Sequence, residues 1–186
     1  MVTAIAITGL DLTGQARETA RMAPRRNYWL LKSEPDAFSF DDLLAAPKRT
    51  TCWDGVRNYQ ARNTMRDDMK VGDGVVYYHS NAKPPGVAGF AKVVREGYPD
   101  DTQFVKGHAH EDPKADPENP RWMMVDIQAV QAVERFVSLD ELRGVKALEG
   151  MALLQRGQRL SVQPVSAAEW KALARLTGVP QAALSV

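Results

Sequence analysis

A tryptophan, an Asp-Gly turn and three arginines fall within one short stretch, CWDGVRNYQARNTMR at residues 52 to 66. Trp53 precedes Asp54-Gly55, a turn signal, so its indole stands at the end of an element rather than in the middle of one. A planar base stacks on such a face for roughly 1–3 kcal/mol. YYHSN, residues 77 to 81, likewise ends a strand with small polar groups facing a loop. Asn58, Ser33 and Ser80 supply donors and acceptors for the edge of a base. Together these positions suit a pocket with an aromatic wall and a few polar groups. Packing of Trp53 in the core, with the arginines in plain solvent, fits the spacing equally well.

Other chemistries have weaker support. Gly-rich phosphate loops and the G-x-S-x-G nucleophile elbow are absent. Cys52 and His79 offer a nucleophile and a base, but no local motif joins them, and Cys52 is expected to be a buried structural cysteine. HAHED, residues 108 to 112, brings His108 and His110 to one side of an extended chain, a pattern that can ligate a metal. It falls in a Pro-rich, charged stretch from 107 to 120, so an exposed loop is the expectation. No metal and no cofactor is predicted.

Those residues need a frame. The chain has 186 residues, 44% of them hydrophobic and 25% charged, which suits one soluble domain with a proper core. Its net charge of +1 requires any nucleic-acid affinity to come from a local basic patch. The single cysteine rules out an internal disulfide. No apolar run approaches the roughly 20 residues of a membrane span, and a cytoplasmic monomer is expected. Residues 1 to 26 have weak periodicity and no aromatic, and read as a mobile appendage to a domain spanning 27 to 180.

NYWLLKSEP predicts a buried strand stopped by Pro35, followed by a helix capped by Ser39 with Asp42 three residues on. Asn58 caps a second helix over 59 to 69, along which Ala61, Met65 and Met69 form an apolar stripe beside Arg62 and Arg66. GDGVVYYHS, GVAGFAKVVREGYP, RWMMVDIQAVQAVERF and GQRLSVQPV predict further strands, with Gly86 and Gly89 marking close approach of a backbone or ligand. Ser166 caps a closing helix that ends at Gly178. Five or six strands with short helices between them point to an α+β fold, a largely antiparallel curved sheet or barrel rather than a doubly wound parallel one.

Seven segments in this order, YWLLKSEPD, WDGVRNYQARNTMR, VGDGVVYYHSN, PGVAG, YPD, NPRWMMVDI and RLSVQPV, resemble the EVE domain family from about Tyr28 to Leu176. The resemblance implies a PUA-like pseudo-barrel of about six strands flanked by helices, related to the YTH reader of methylated adenine. It implies a non-enzymatic partner of nucleic acid, DNA or possibly RNA, that takes a modified base, above all a modified cytosine, into a pocket. The family's pocket motifs fall on Lys32, Ser33, Glu34, Pro35, Trp53, Gly55, Val56, Arg57, Asn58, Tyr78, His79, Ser80 and Asn81, with Ser161 and Gln163 from the last strand. Arg57, Arg62 and Arg66 would then face backbone phosphates, which answers how a near-neutral chain holds a polyanion. The histidine-bearing loop, 107 to 112, is left outside this site. PUA-like barrels also include ASCH-type domains that look like hydrolases of modified nucleosides, and Lys32 with Glu34 or Asp54 is the group that would serve such a reaction.

Overall fold

The structure is a computed structural model that describes residues 26–185. The expected appendage, residues 1 to 26, lies outside the described residues apart from Arg26. The elements run β1 (Tyr28–Ser33), α1 (Phe40–Ala45), β2 (Thr50–Cys52), α2 (Tyr59–Asn63), β3 (Gly74–His79), β4 (Gly86–Pro99), β5 (Met123–Ser138), α3 (Leu139–Arg143), β6 (Val162–Val165) and α4 (Ala167–Leu176). All six strands join one sheet in the order β2-β5-β4-β3-β1-β6. Every pairing is antiparallel except β1 with β3. A parallel pair needs a long return connection, and α1, β2 and α2 all lie on it. The α+β class and the six mostly antiparallel strands are as the sequence predicts, in an open sheet whose edges are β2 and β6.

Local signals explain most elements. Ser39 and Asp42 form a reciprocal capping box on α1, and Ser166 with Glu169 forms another on α4. Asn58 accepts from the Gln60 and Ala61 amides and starts α2, which runs into a π turn at Thr64–Asp68. Ala61, Met65 and Met69 are all fully buried, so the four-residue stripe is the inner face of that segment.

Neighbouring strand residues point to opposite faces, and the sheet buries both. Val75 and Tyr77 of β3 pack with Phe40, Trp53 and Met65 on one side. Val76 and Tyr78 pack with Leu142, Trp170 and Leu173 on the other. The close approaches expected at Gly86 and Gly89 are made by the protein itself, by the buried Phe40 ring at Gly89 and by the β5 backbone with the exposed Phe136 ring at Gly86. A Cβ on Gly89 would sit 2.2 Å from Phe40, and one on Gly86 would meet Val137 O and Phe136.

The packed region continues past residue 180. Leu184 is buried and its carbonyl accepts from Arg26 Nη1 at 2.6 Å. No helix among the described residues is long and apolar enough to cross a membrane.

Candidate nucleic-acid interface

The end of β1 and the end of β2 border a cleft of about 630 Å³, within the size range of small-ligand sites. Lys32, Ser33 and Glu34 leave β1 on one side, and Cys52, Trp53, Asp54, Gly55, Val56 and Arg57 follow β2 on the other. Ser161 and His110 complete the rim. The Trp53 indole is only 8% exposed and meets Tyr77 edge-on, with ring centroids 5.4 Å apart. It is therefore both core and wall, and the two readings of Trp53 left open by the sequence are not exclusive.

A buried carboxylate holds the turn in place. Asp100, at the end of β4, accepts from the Gly55 N–H at 3.0 Å, from Arg57 Nη1 at 2.7 Å and from the Thr102 N–H and hydroxyl. Burial pushes its carboxyl up, but the donors from Arg57, Thr102 and Gly55 outweigh it and hold it below the usual range. Arg57 also donates through Nε to the His110 carbonyl at 3.0 Å and through Nη2 to Thr102 Oγ1 at 3.1 Å. Its guanidinium also lies 5.4 Å from the centre of the Trp122 ring. The arginine expected to meet a phosphate is thus occupied inside the protein as a brace between two loops.

His110, in the loop that the sequence left outside the site, lines the cleft. Its imidazole lies directly over Gly55, where an added Cβ would come within 2.3 Å of Cε1. Its Nδ1 is buried and without a hydrogen-bond partner. The stretch from 107 to 120 is exposed for most of its length, but Asp112 accepts from Trp122 Nε1 at 2.7 Å and from Arg121 at 3.1 Å. Those anchors press the histidine against the cleft. Gly55 also has φ +71, the left-handed region where a side chain costs roughly 1–2 kcal/mol. Gly55→Ala should therefore lower stability by about that amount, expel the imidazole and weaken ligand binding. Thermal melts and binding measured on that variant check this, and wild-type values in both would contradict it.

The other predicted pocket residues divide among different places. Tyr78 lies on the opposite face of the sheet, because alternation along β3 turns Tyr77 toward Trp53. Ser80 and Asn81, with Lys32 and the rim of Tyr78, line a neighbouring groove. His79 Nε2 accepts from the Phe40 N–H at 3.1 Å and steadies the start of α1. Burial lowers its pKa, in keeping with a neutral acceptor. Asn58 is occupied as the cap of α2, Gln163 is buried with Nε2 on the Leu160 carbonyl at 2.8 Å, and Pro35 does not line the cleft. Arg62 and Arg66 border a separate basic groove with Lys114 and Arg121, on the side of α2. Arg62 Nη1 donates to the Arg121 carbonyl at 2.5 Å while its Nε is buried and unpaired, and Arg66 pairs with Asp67 in full solvent.

Cys52 is exposed rather than buried, since β2 is a short edge strand whose end opens into the cleft. Partial desolvation at the cleft edge, with Asp54 and Asp126 nearby, raises its pKa and keeps it a thiol, the form that is a poor nucleophile. Burial also lowers the pKa of the Lys32 amine. Among the described residues, no three His, Cys, Asp or Glu side chains cluster as metal ligands. His108 instead accepts from the His110 N–H. The Ser33 hydroxyl donates to the Phe38 carbonyl at 2.6 Å, so toward the cleft it can only accept. The cleft offers an indole wall, acceptors in Glu34, Asp54 and Ser33, and donors in Lys32 and Ser161.

Comparison with known proteins gives the family of the chain. Thymocyte nuclear protein 1 of Rattus norvegicus is 51% identical over 161 residues, covering 77% of this chain and 70% of its own. The protein of that name from Homo sapiens is 49% identical over 161 residues, with 77% and 71% covered. A crystal structure of human THYN1 protein in complex with 5-methylcytosine-containing DNA matches with a TM-score of 0.78 at 46% identity, over 83% of this chain and 99% of that one. A hypothetical protein from Leishmania major matches with a TM-score of 0.78 at 49% identity, over 83% and 96%. The EVE domain profile covers residues 27–176, from just before β1 to the end of α4, and the chain belongs to the EVE domain family.

Proposed function

We propose that this protein reads a modified cytosine in DNA by taking the base into the cleft against Trp53, without altering it. The observation that carries this reading is a cleft that sets an indole wall beside carboxylate acceptors and the Lys32 and Ser161 donors. A cytosine presents an amino group that Asp or Glu accepts, and Glu34 and Asp54 are the carboxylates in reach of the cleft. Lys32 and Ser161 face the remaining acceptors of the base edge. Val56, buried at the lining, offers apolar contact to a methyl substituent. His110 closes the wall over Gly55, and Arg57 positions that wall through Asp100.

The human relative, whose structure holds 5-methylcytosine-containing DNA, supports both the polymer and the modification. Arg62 and Arg66, with Lys114 and Arg121, are the phosphate contacts of this reading. An exposed pair such as Arg66–Asp67 contributes little on its own and exchanges readily for a phosphate. A screen of short oligonucleotides carrying different modified bases, against unmodified controls at fixed salt, tests the assignment. Incubation with modified nucleosides should yield no new product by chromatography. A product would make Lys32 and its carboxylate neighbours a hydrolytic centre instead.

A further inference from the structure

A base drawn out of its strand leaves phosphates on both sides of it, and holding only one side lets the strand swing. The groove of Arg62 and Arg66 and the cleft both border the 110–121 segment, which Arg62 meets at the Arg121 carbonyl and Arg57 at the His110 carbonyl. Lys32, at the end of β1, lines both the cleft and a second groove of about 640 Å³ that shares no residue with the first. Arg143, Arg156 and Arg159 border that second groove, with Ser80 and Asn81. Arg156 and Arg159 are exposed, and neither they nor Lys32 make an ion pair among the described residues. Arg143 pairs only with Asp140, in open solvent.

The loop that carries Arg156 and Arg159 is framed before any ligand arrives. Gly157 turns it with φ +79, and the Gln158 side chain accepts from the Leu160 N–H at 3.1 Å. Buried Gln163 holds the Leu160 carbonyl, and the Ser161 carbonyl accepts from the Lys32 N–H at 2.9 Å. Gln163 thus acts on this loop, not on a base. Unpaired cations in a fixed groove continuous with the cleft are what a phosphodiester chain requires, because binding then releases counterions without first breaking internal pairs.

We propose that the groove of Lys32, Arg143, Arg156 and Arg159 holds the sugar-phosphate backbone on the second side of the inserted nucleotide. This rests on the base-reading function above. The test is the variant Arg156→Gln/Arg159→Gln in the full chain, with binding to a 5-methylcytosine oligonucleotide and its unmodified twin measured across a salt series. The salt slope should fall by about two units, near 0.9 per lost contact on duplex DNA, while the preference for the modified strand persists. Arg156→Lys/Arg159→Lys should restore the slope. The pair Lys171→Ala/Arg175→Ala on α4 removes equal charge and should leave the slope near wild type.

An unchanged slope in the Gln variant, in a protein that still prefers the modified strand, overturns the groove and spares the cleft. Loss of preference in the wild type itself counts against the base reading instead. Saturable binding of inorganic phosphate that the Gln variant abolishes, with no competition from the oligonucleotide, would mark a free-anion site and overturn the strand assignment.

Discussion

Trp53→Ala should weaken binding of a modified-base oligonucleotide by about five- to 150-fold, the equivalent of roughly 1–3 kcal/mol of lost stacking. The loss should be larger for the modified strand than for its unmodified twin, because only an inserted base touches the indole. The same substitution should lower stability, since the ring is nearly buried against Tyr77 and truncating a packed Trp costs about 3–5 kcal/mol. Trp53→Phe separates the two effects. It keeps an aromatic face and most of the packing, so stability should recover further than affinity. A Trp53→Ala protein that remains folded and keeps its full preference for the modified base would remove the indole from the site.

Asp100→Ala should be the most damaging single change away from the two cores. It strips the Arg57 guanidinium of its carboxylate and leaves the Gly55 and Thr102 amides without their acceptor. Breaking one partner out of a buried pair costs about 3–5 kcal/mol. For a domain of this size that corresponds to a melting temperature lower by about 10 °C. Binding should fall further than stability alone requires, because Gly55 and the His110 strap lose their common anchor. Asp100→Asn, which keeps the shape, gives the pH signature. The carboxyl is held below its ordinary value, so its contribution is complete above about pH 4 and is lost as pH falls through the lower folded-state value. Wild-type protein should lose this stability in acid, and Asp100→Asn should show a flatter acid limb. A melting temperature unchanged in Asp100→Ala would contradict the bracing role.

These two residues also mark what could and could not be read from the chain. Period and capping made the frame legible. β4 appears over the very residues predicted for it, the capping boxes at Ser39 and Ser166 form, and Ala61, Met65 and Met69 turn inward. The resemblance placed Lys32, Ser33, Glu34, Trp53, Gly55, Val56, Arg57 and Ser161, all of which line the cleft. What failed needed information that local sequence does not hold. Choosing Tyr78 over Tyr77 requires knowing which sheet face the cleft occupies, since one residue reverses the side chain. Arg57 reads as a free cation until Asp100, 43 residues away, is brought beside it. His110 sits in a stretch that looks solvated, and only its contacts with Arg57 and its position over Gly55 reveal it as a wall. Cys52 follows the burial preference of its type only until β2 proves to be an edge.

The central claim is that the cleft distinguishes a modified cytosine from an ordinary one, and the ratio of two dissociation constants tests it most directly. Binding of the full chain to two oligonucleotides identical but for one 5-methyl group should be measured at a single salt concentration. A methyl accommodated in an apolar corner of the site is worth about 1–3 kcal/mol, so the methylated strand should bind roughly ten-fold tighter or more. Equal Kd values for the two strands would contradict the account.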